Sequence, residues 1–149
     1  MPAEVPHHEM VIPTLEIEQA VAPLCKEILE VASQAEAANI LNPVTTFWRL
    51  KKVSRQRERL RPRYDAVVAD CHGRLVEPVT GGPGFMLGWA QVWATAKGTS
   101  ALLKLQSTWA ELQAIIDRKY AYTFGVLSLY VAVISLIATF LLPVLSGKG

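Results

Sequence analysis

The chain carries YAYTFGVLSLYVAVISLIATFLLPVLSG at residues 120–147, and no side chain in this stretch is charged. Its apolar centre, residues 124–142, is 19 residues long. At about 1.5 Å per residue, a helix of this length matches the roughly 30 Å hydrocarbon core of a bilayer. The sequence therefore predicts one transmembrane helix at 120–146. A tail at 147–149 follows, too short to fold on the far side.

Charges on either side of this stretch indicate its orientation. Lys104, Arg118 and Lys119 precede it, and Lys148 follows it. Because Lys and Arg accumulate on the cytosolic side, we expect the N-terminal part in the cytosol and the short C-terminus across the membrane. The layout indicates a tail-anchored protein of the mitochondrial outer membrane or a protein of the bacterial inner membrane. The acidic, proline-rich residues 1–10 do not resemble a signal or transit peptide.

The remainder of the chain has helical periodicity. Apolar residues recur three and four positions apart, with no strand-like alternation of useful length. The pattern predicts an all-α fold, in which a small cytosol-facing helical domain precedes a long C-terminal helix that continues into the single span. The expected segments before the span are a flexible N-terminus (1–13), a helical region (14–79), a Gly/Pro turn (80–84), and an aromatic helix followed by a juxtamembrane amphipathic helix (85–119).

Helix breakers predict finer boundaries. We expect Thr14 to cap the first helix and Pro23 to kink or restart it. Further ends are predicted at 42–43, 61–62, 72–73 and 97–98, which would give separate helices at 44–60 and 64–71. The last helix would begin near Ser100 and measure about 65 Å at about 1.5 Å per residue.

Charge is divided between two blocks of the helical region. Residues 1–40 contain seven glutamates and one lysine, whereas residues 41–74 contain nine basic and three acidic residues. The net charges of −6 and +6 cancel, so the total of +2 conceals them. The acidic part (14–41) and the basic part (44–74) either pair inside the domain or face different partners, and the sequence leaves both arrangements open.

Small residues recur along one face of the predicted span, with alternating spacings of four and three. We call this face the small-residue seam, and we predict that it packs against helices of other membrane subunits. The seam consists of Ala121, Gly125, Ser128, Ala132, Ser135 and Thr139.

Cations cluster after an aromatic pair, Phe47 and Trp48. This pattern favours contact with anionic lipid headgroups or with an acidic partner surface, while no recognised motif points to nucleic acid. The candidate residues are Trp48, Arg49, Lys51, Lys52, Arg55, Arg57 and Arg59.

Three other tryptophans are candidates for interfacial or partner contacts: Trp89, Trp93 and Trp109. The first two lie in the uncharged segment 85–96, for which a buried core helix is the other interpretation. Trp109 also belongs to the clearest amphipathic stripe of the chain, which comprises Leu102, Leu105, Trp109, Leu112 and Ile116.

No residues form a recognisable catalytic, cofactor-binding or metal-binding pattern. Cys25 and Cys71 are far apart and are expected to be reduced, and His7 and His8 lack further ligands at metal-binding spacing. We therefore expect a protein that is not an enzyme and needs no cofactor. The sequence favours an accessory subunit of a multi-subunit membrane complex. The alternative is a membrane-anchored receptor or adaptor, such as an organellar import component, that binds a soluble client through its acidic or basic segment.

Overall fold

The computed structural model of the chain describes residues 11–38, 42–81, 84–145 and 147. It contains three helices, α1 (Leu15–Glu36), α2 (Pro43–Val76) and α3 (Gly84–Leu145), and no strand among the described residues. The all-α fold is thereby confirmed. α3 has 62 residues, about 93 Å at about 1.5 Å per residue, and so exceeds the predicted 65 Å.

The helices form an up-down-up bundle. The Lys119 ammonium group on α3 donates hydrogen bonds to the carbonyls of Glu36 (2.9 Å) and Ala38 (3.0 Å), which places the end of α1 beside the middle of α3. Tyr64 of α2 stacks on Trp109 of α3 with ring centroids 4.6 Å apart. α1 therefore runs parallel to α3, and α2 runs antiparallel to both. We call the end near Lys119 the membrane-proximal end and the opposite end the distal end.

The core lies between the three helices above the membrane stretch. It is almost entirely apolar, and its burial stabilises the bundle by roughly 1.5–3 kcal/mol per large side chain. Its central members are Ile17, Leu24, Ile28, Val53, Leu105, Leu112 and Ile116. The amphipathic stripe of residues 102–116 is therefore covered by the protein's own α1 and α2.

Two prolines lie inside helices that they were expected to interrupt. α1 continues through Pro23, and α2 continues through Pro62 to Val76, so the predicted breaks at 61–62 and 72–73 are wrong. Both prolines are exposed. Water can therefore hydrate the carbonyls that lose their helical hydrogen bonds, and the packed inner face holds the helix together.

Gly98 was expected to end a helix and instead lies buried within α3. A Cβ atom at this position would lie 2.9 Å from Leu75 Cδ2 of α2 and 3.0 Å from Ile17 Cδ1 of α1. The glycine thus allows three helices to approach one another. Its role is close packing, which a sequence pattern cannot distinguish from chain breaking.

Three further contacts concern the first residues of α1, the first residues of α2 and the turn between α2 and α3. α1 begins after Thr14 as predicted, but the Thr14 side chain makes no capping hydrogen bond. Asn42 caps α2 by accepting from the Thr45 N–H at 3.3 Å. Val11 and Thr80 exchange backbone hydrogen bonds of 2.8 and 3.2 Å, which ties the end of the predicted flexible N-terminus to the turn. The rest of that segment, residues 1–10, lies outside the described residues.

Beyond the bundle, α3 continues alone. Within the described part of the chain it is the one helix long and apolar enough to cross a membrane, and its most apolar window has a mean hydropathy of 2.3 and no buried residue. The predicted continuation of the C-terminal helix into a membrane-spanning stretch agrees with this. No other element in the described ranges covers that window.

Candidate membrane and partner-binding surfaces

The small-residue seam is exposed along its whole length. All six of its residues are exposed, and they lie on the side of α3 opposite Leu112, Ile116 and Thr123, which are buried towards the bundle. The Thr139 hydroxyl donates to the Ser135 carbonyl at 2.8 Å within the same helix. A second helix could approach the seam without meeting α1 or α2.

The basic segment lies on the first half of α2. Arg49, Lys51, Lys52, Arg55 and Arg59 are exposed. Arg57 is half-buried. Trp48 is 62% exposed, and the Lys51 Nζ atom lies 5.3 Å from the centre of the Trp48 ring. Among the described residues, no acidic side chain forms an ion pair with any of these six cations. They are therefore available to an external anion.

An aromatic cluster fixes the start of α2 to the start of the span. The Phe47 ring makes edge-on contacts with Tyr120 and Phe124, with centroids 6.4 Å apart in both cases. This places the first turns of α2 beside the residues where α3 leaves the bundle. Sequence reasoning missed this contact because it depends on the antiparallel register of α2 and α3. The sequence signal for this contact was Phe47 itself, an aromatic residue that comes just before the basic segment.

The tryptophan candidates separate into two groups. Trp89 is 80% exposed and Trp93 is 49% exposed, so the buried-helix interpretation of 85–96 does not hold for this face. Trp93 lies 27 residues before Tyr120, about 40 Å along α3. That distance exceeds the thickness of a headgroup layer and favours a partner contact over insertion into the same bilayer.

Trp109 belongs to the second group. Its side chain is 7% exposed and stacks on Tyr64 inside the bundle. Its assignment as an interfacial or partner contact is therefore wrong. Because α1 and α2 cover the stripe to which Trp109 belongs, the ring stabilises the domain from within.

Ion pairs occupy the distal end and the middle of the bundle. Arg63 donates to both oxygens of Glu27, at 2.6 and 3.1 Å, and Lys97 lies 3.6 Å from Glu18. Arg74 binds Glu16 and also donates to Asp70 at 2.8 Å. The acidic and basic blocks thus pair internally in this part of the molecule.

Burial shifts the pKa values of titratable residues inside the bundle. Burial raises the pKa of the Cys71 thiol, an effect to which Asp70 adds and which Arg74 partly opposes, so the thiol is protonated at neutral pH. Burial, with a contribution from Asp65, likewise raises the pKa of Tyr64. Within the described residues, no three His, Cys, Asp or Glu side chains group together as metal ligands would.

Comparison with known proteins adds no assignment. No family model matches the chain, and no curated protein or solved structure matches it either.

Proposed function

We propose that the protein is a non-catalytic accessory subunit of a multi-subunit membrane complex. The observation that carries the proposal is the exposed small-residue seam on the side of α3 that faces away from the bundle. Small side chains let two helix backbones approach closely in lipid, where packing, rather than hydrophobic burial, drives association. The subunit would therefore present a helix-packing face within the bilayer.

The exposed tryptophans supply a second contact outside the membrane. Trp89 and Trp93 are exposed and, like the seam, face away from the buried stripe of α3. Tryptophan is enriched at protein interfaces. A partner subunit that contacts both regions would run along most of α3.

The orientation and the membrane belong to the same proposal. The cations before the span, Arg118 and Lys119, support a cytosolic bundle with the C-terminal residues across the membrane. In this arrangement the protein is a tail-anchored component of the mitochondrial outer membrane or a single-pass component of the bacterial inner membrane.

Within the receptor alternative, client binding through the acidic block receives less support from the contacts than client binding through the basic segment. Client binding through the acidic block would require free carboxylates, whereas Glu16, Glu18 and Glu27 each form an ion pair within the bundle. The accessory-subunit proposal does not require these ion pairs to break.

The test combines mild detergent extraction with native electrophoresis. We expect the wild-type protein to migrate in a large particle, and Ser128→Leu with Ser135→Leu to release it as a small species that still resists alkaline carbonate washing. Val133→Leu with Ile137→Leu adds or rearranges apolar atoms away from the seam and is the matched control, with the particle retained.

Two results would contradict the proposal. One is a wild-type protein that is monomeric after gentle extraction. The other is a large particle that both double variants leave unchanged. Removal of the wild-type protein from vesicles by carbonate would contradict the membrane-spanning role itself.

A further inference from the structure

The first turns of α2 lie at the level where α3 passes from the bundle into the apolar stretch. Phe47 contacts Tyr120 and Phe124, and Lys119, the last charged residue before the stretch, binds the end of α1. The apolar centre of the span begins at Phe124. Phe47 is therefore placed at the boundary between hydrocarbon and headgroups when α3 crosses a bilayer.

The cations of the basic segment lie at different distances along α2 from the level of Phe47. The headgroup layer adds about 5–8 Å to each side of the hydrocarbon core. At about 1.5 Å per residue, Arg49 lies about 3 Å and Lys52 about 8 Å from the level of Phe47, whereas Arg59 lies about 18 Å away. Long cationic side chains extend toward the polar layer. The first cations of the segment can therefore reach headgroups, and Arg59 cannot.

The side chains near this level have the properties of an interfacial surface. Trp48 is largely exposed, and the Lys51 ammonium group lies over its ring. Tryptophan and lysine together are typical of the membrane–water interface. Within the described residues Arg49, Lys51 and Lys52 have no acidic partner, unlike Arg63, which binds Glu27. Their charge is left for an anion outside the bundle.

A groove beside these cations gives the surface a concave part. It has a volume of ≈ 250 Å³ and lies between the end of α1 and the second and third turns of α2. Arg49 and Lys52 line it together with Gln34, Ala37 and Val53. An arginine can bind phosphate through two parallel hydrogen bonds, and a lysine beside it adds a point charge.

We infer that Trp48, Arg49, Lys51 and Lys52 form a binding surface for anionic lipid headgroups, with the groove at Arg49 and Lys52 receiving a phosphate. The occupant is lipid because the surface is continuous with the span through the Phe47 cluster. The inference depends on α3 crossing a bilayer and is independent of the seam and its partners.

The test uses the full-length protein in nanodiscs of phosphatidylcholine, with spin-labelled phosphatidylserine or spin-labelled phosphatidylcholine as the reporter. Electron paramagnetic resonance then gives the relative association of the two lipids at ~0.15 M ionic strength, where screening acts beyond about 8 Å. We expect the wild type to prefer phosphatidylserine at least about fivefold, a factor that corresponds to about 1 kcal/mol for one surface cation.

Two triple variants separate position from net charge. Arg49→Gln with Lys51→Gln and Lys52→Gln should reduce the preference to about one. The control variant removes the same charge higher on α2, through Arg55→Gln, Arg59→Gln and Arg61→Gln, and should leave the preference intact. Arg61 is exposed and lies 3.9 Å from Asp65, so its loss breaks only a surface ion pair. Equal losses in both variants, or no loss in the first, would overturn the inference.

Fluorescence quenching by brominated lipids provides an independent measurement. Trp48→Phe should remove most of the quenched emission, and Trp89→Phe should remove none, because Trp89 lies far above the bilayer. The surface would instead belong to an acidic partner protein if the first triple variant stopped complex assembly while lipid preference and quenching stayed as in the wild type.

Discussion

The two ends of the bundle use the same residue types in different ways. At the distal end and in the middle, Arg74 and Arg63 bind glutamates of α1. At the membrane-proximal end, Arg49, Lys51 and Lys52 form no ion pair within the described residues, and the Phe47 aromatic cluster takes the place of charged contacts. The glutamates of α1 therefore neutralise Arg63 and Arg74, whereas the cations in the first half of α2 have no acidic partner within the described residues.

The largest expected effect separates buried from exposed tryptophan. Trp109→Ala should lower the free energy of unfolding by about 3–5 kcal/mol, because a large aromatic side chain leaves the core and the Tyr64 ring loses its stacking partner. Trp89→Ala should change it by less than about 0.5 kcal/mol, since Trp89 is exposed. Denaturant unfolding in detergent, followed by circular dichroism, measures both. Similar values for the two variants would show that Trp109 is not a core residue.

The next effect tests the close approach of helices at the distal end. Gly98→Val should destabilise the bundle by about 1–3 kcal/mol, because the added atoms overlap Leu75 and Ile17. Gly73→Ala is the control, since nothing lies within 4 Å of its missing Cβ atom. The free energy of unfolding of this variant should rise by about 0.5–1 kcal/mol, because alanine has a greater helix propensity than glycine. Thermal unfolding of both variants measures the effect, and a stable Gly98→Val protein would contradict close packing of α1 and α2 against Gly98.

A smaller effect compares paired with unpaired cations directly. A double-mutant cycle with Glu27→Gln and Arg63→Gln should give a coupling energy of about 0.2–1 kcal/mol, because the pair is bidentate but partly exposed. Lys51→Gln with Lys52→Gln, measured in uncharged detergent, should leave the free energy of unfolding within about 0.5 kcal/mol of wild type. A large loss in the lysine variant would mean that these side chains support the fold instead of facing outward.

The smallest effect concerns pH. Burial raises the pKa of Cys71, so the folded state holds this proton more tightly than the unfolded state does. The contribution of the Cys71 thiol to the free energy of unfolding is constant below the ordinary thiol pKa of 9.0 and is lost as the pH rises above that value. Unfolding measured between pH 7 and pH 10 should therefore show a decline above about pH 9 that is weaker in Cys71→Ala. An identical decline in both proteins would assign the loss to other groups.

Much of the fold could be predicted from sequence because its signals are local. The apolar stretch is recognised by its length and lack of charge, and the 102–116 stripe by its periodicity within one helix. In the structure α3 runs through residues 120–145 and is apolar enough to cross a membrane, and the stripe is buried in the core. The errors at Pro62 and Gly98 have a common cause. Both residues disfavour an isolated helix, but tertiary packing determines whether the helix continues, and that packing is not local.

The candidate surfaces were harder to predict. The basic segment was found as a run of cations, yet its division into a membrane-proximal and a distal part depends on which helix residues lie opposite Tyr120. Trp109 was misassigned for a related reason, since tryptophan suits both cores and interfaces. Only the register of three helices separates these environments.

The continuity of α3 has a mechanical consequence. One continuous helix carries both the bundle and the apolar stretch, and Lys119 binds the end of α1 at their junction. We therefore expect the two parts to turn together. Transmembrane helices tilt by about 20° on average. If α3 crosses a bilayer, a tilt of that size would move Trp93, about 40 Å along α3 from Tyr120, sideways by about 14 Å. A small movement of the helix within the bilayer would thus become a larger displacement at the distal end of α3, and a subunit bound there would move with it.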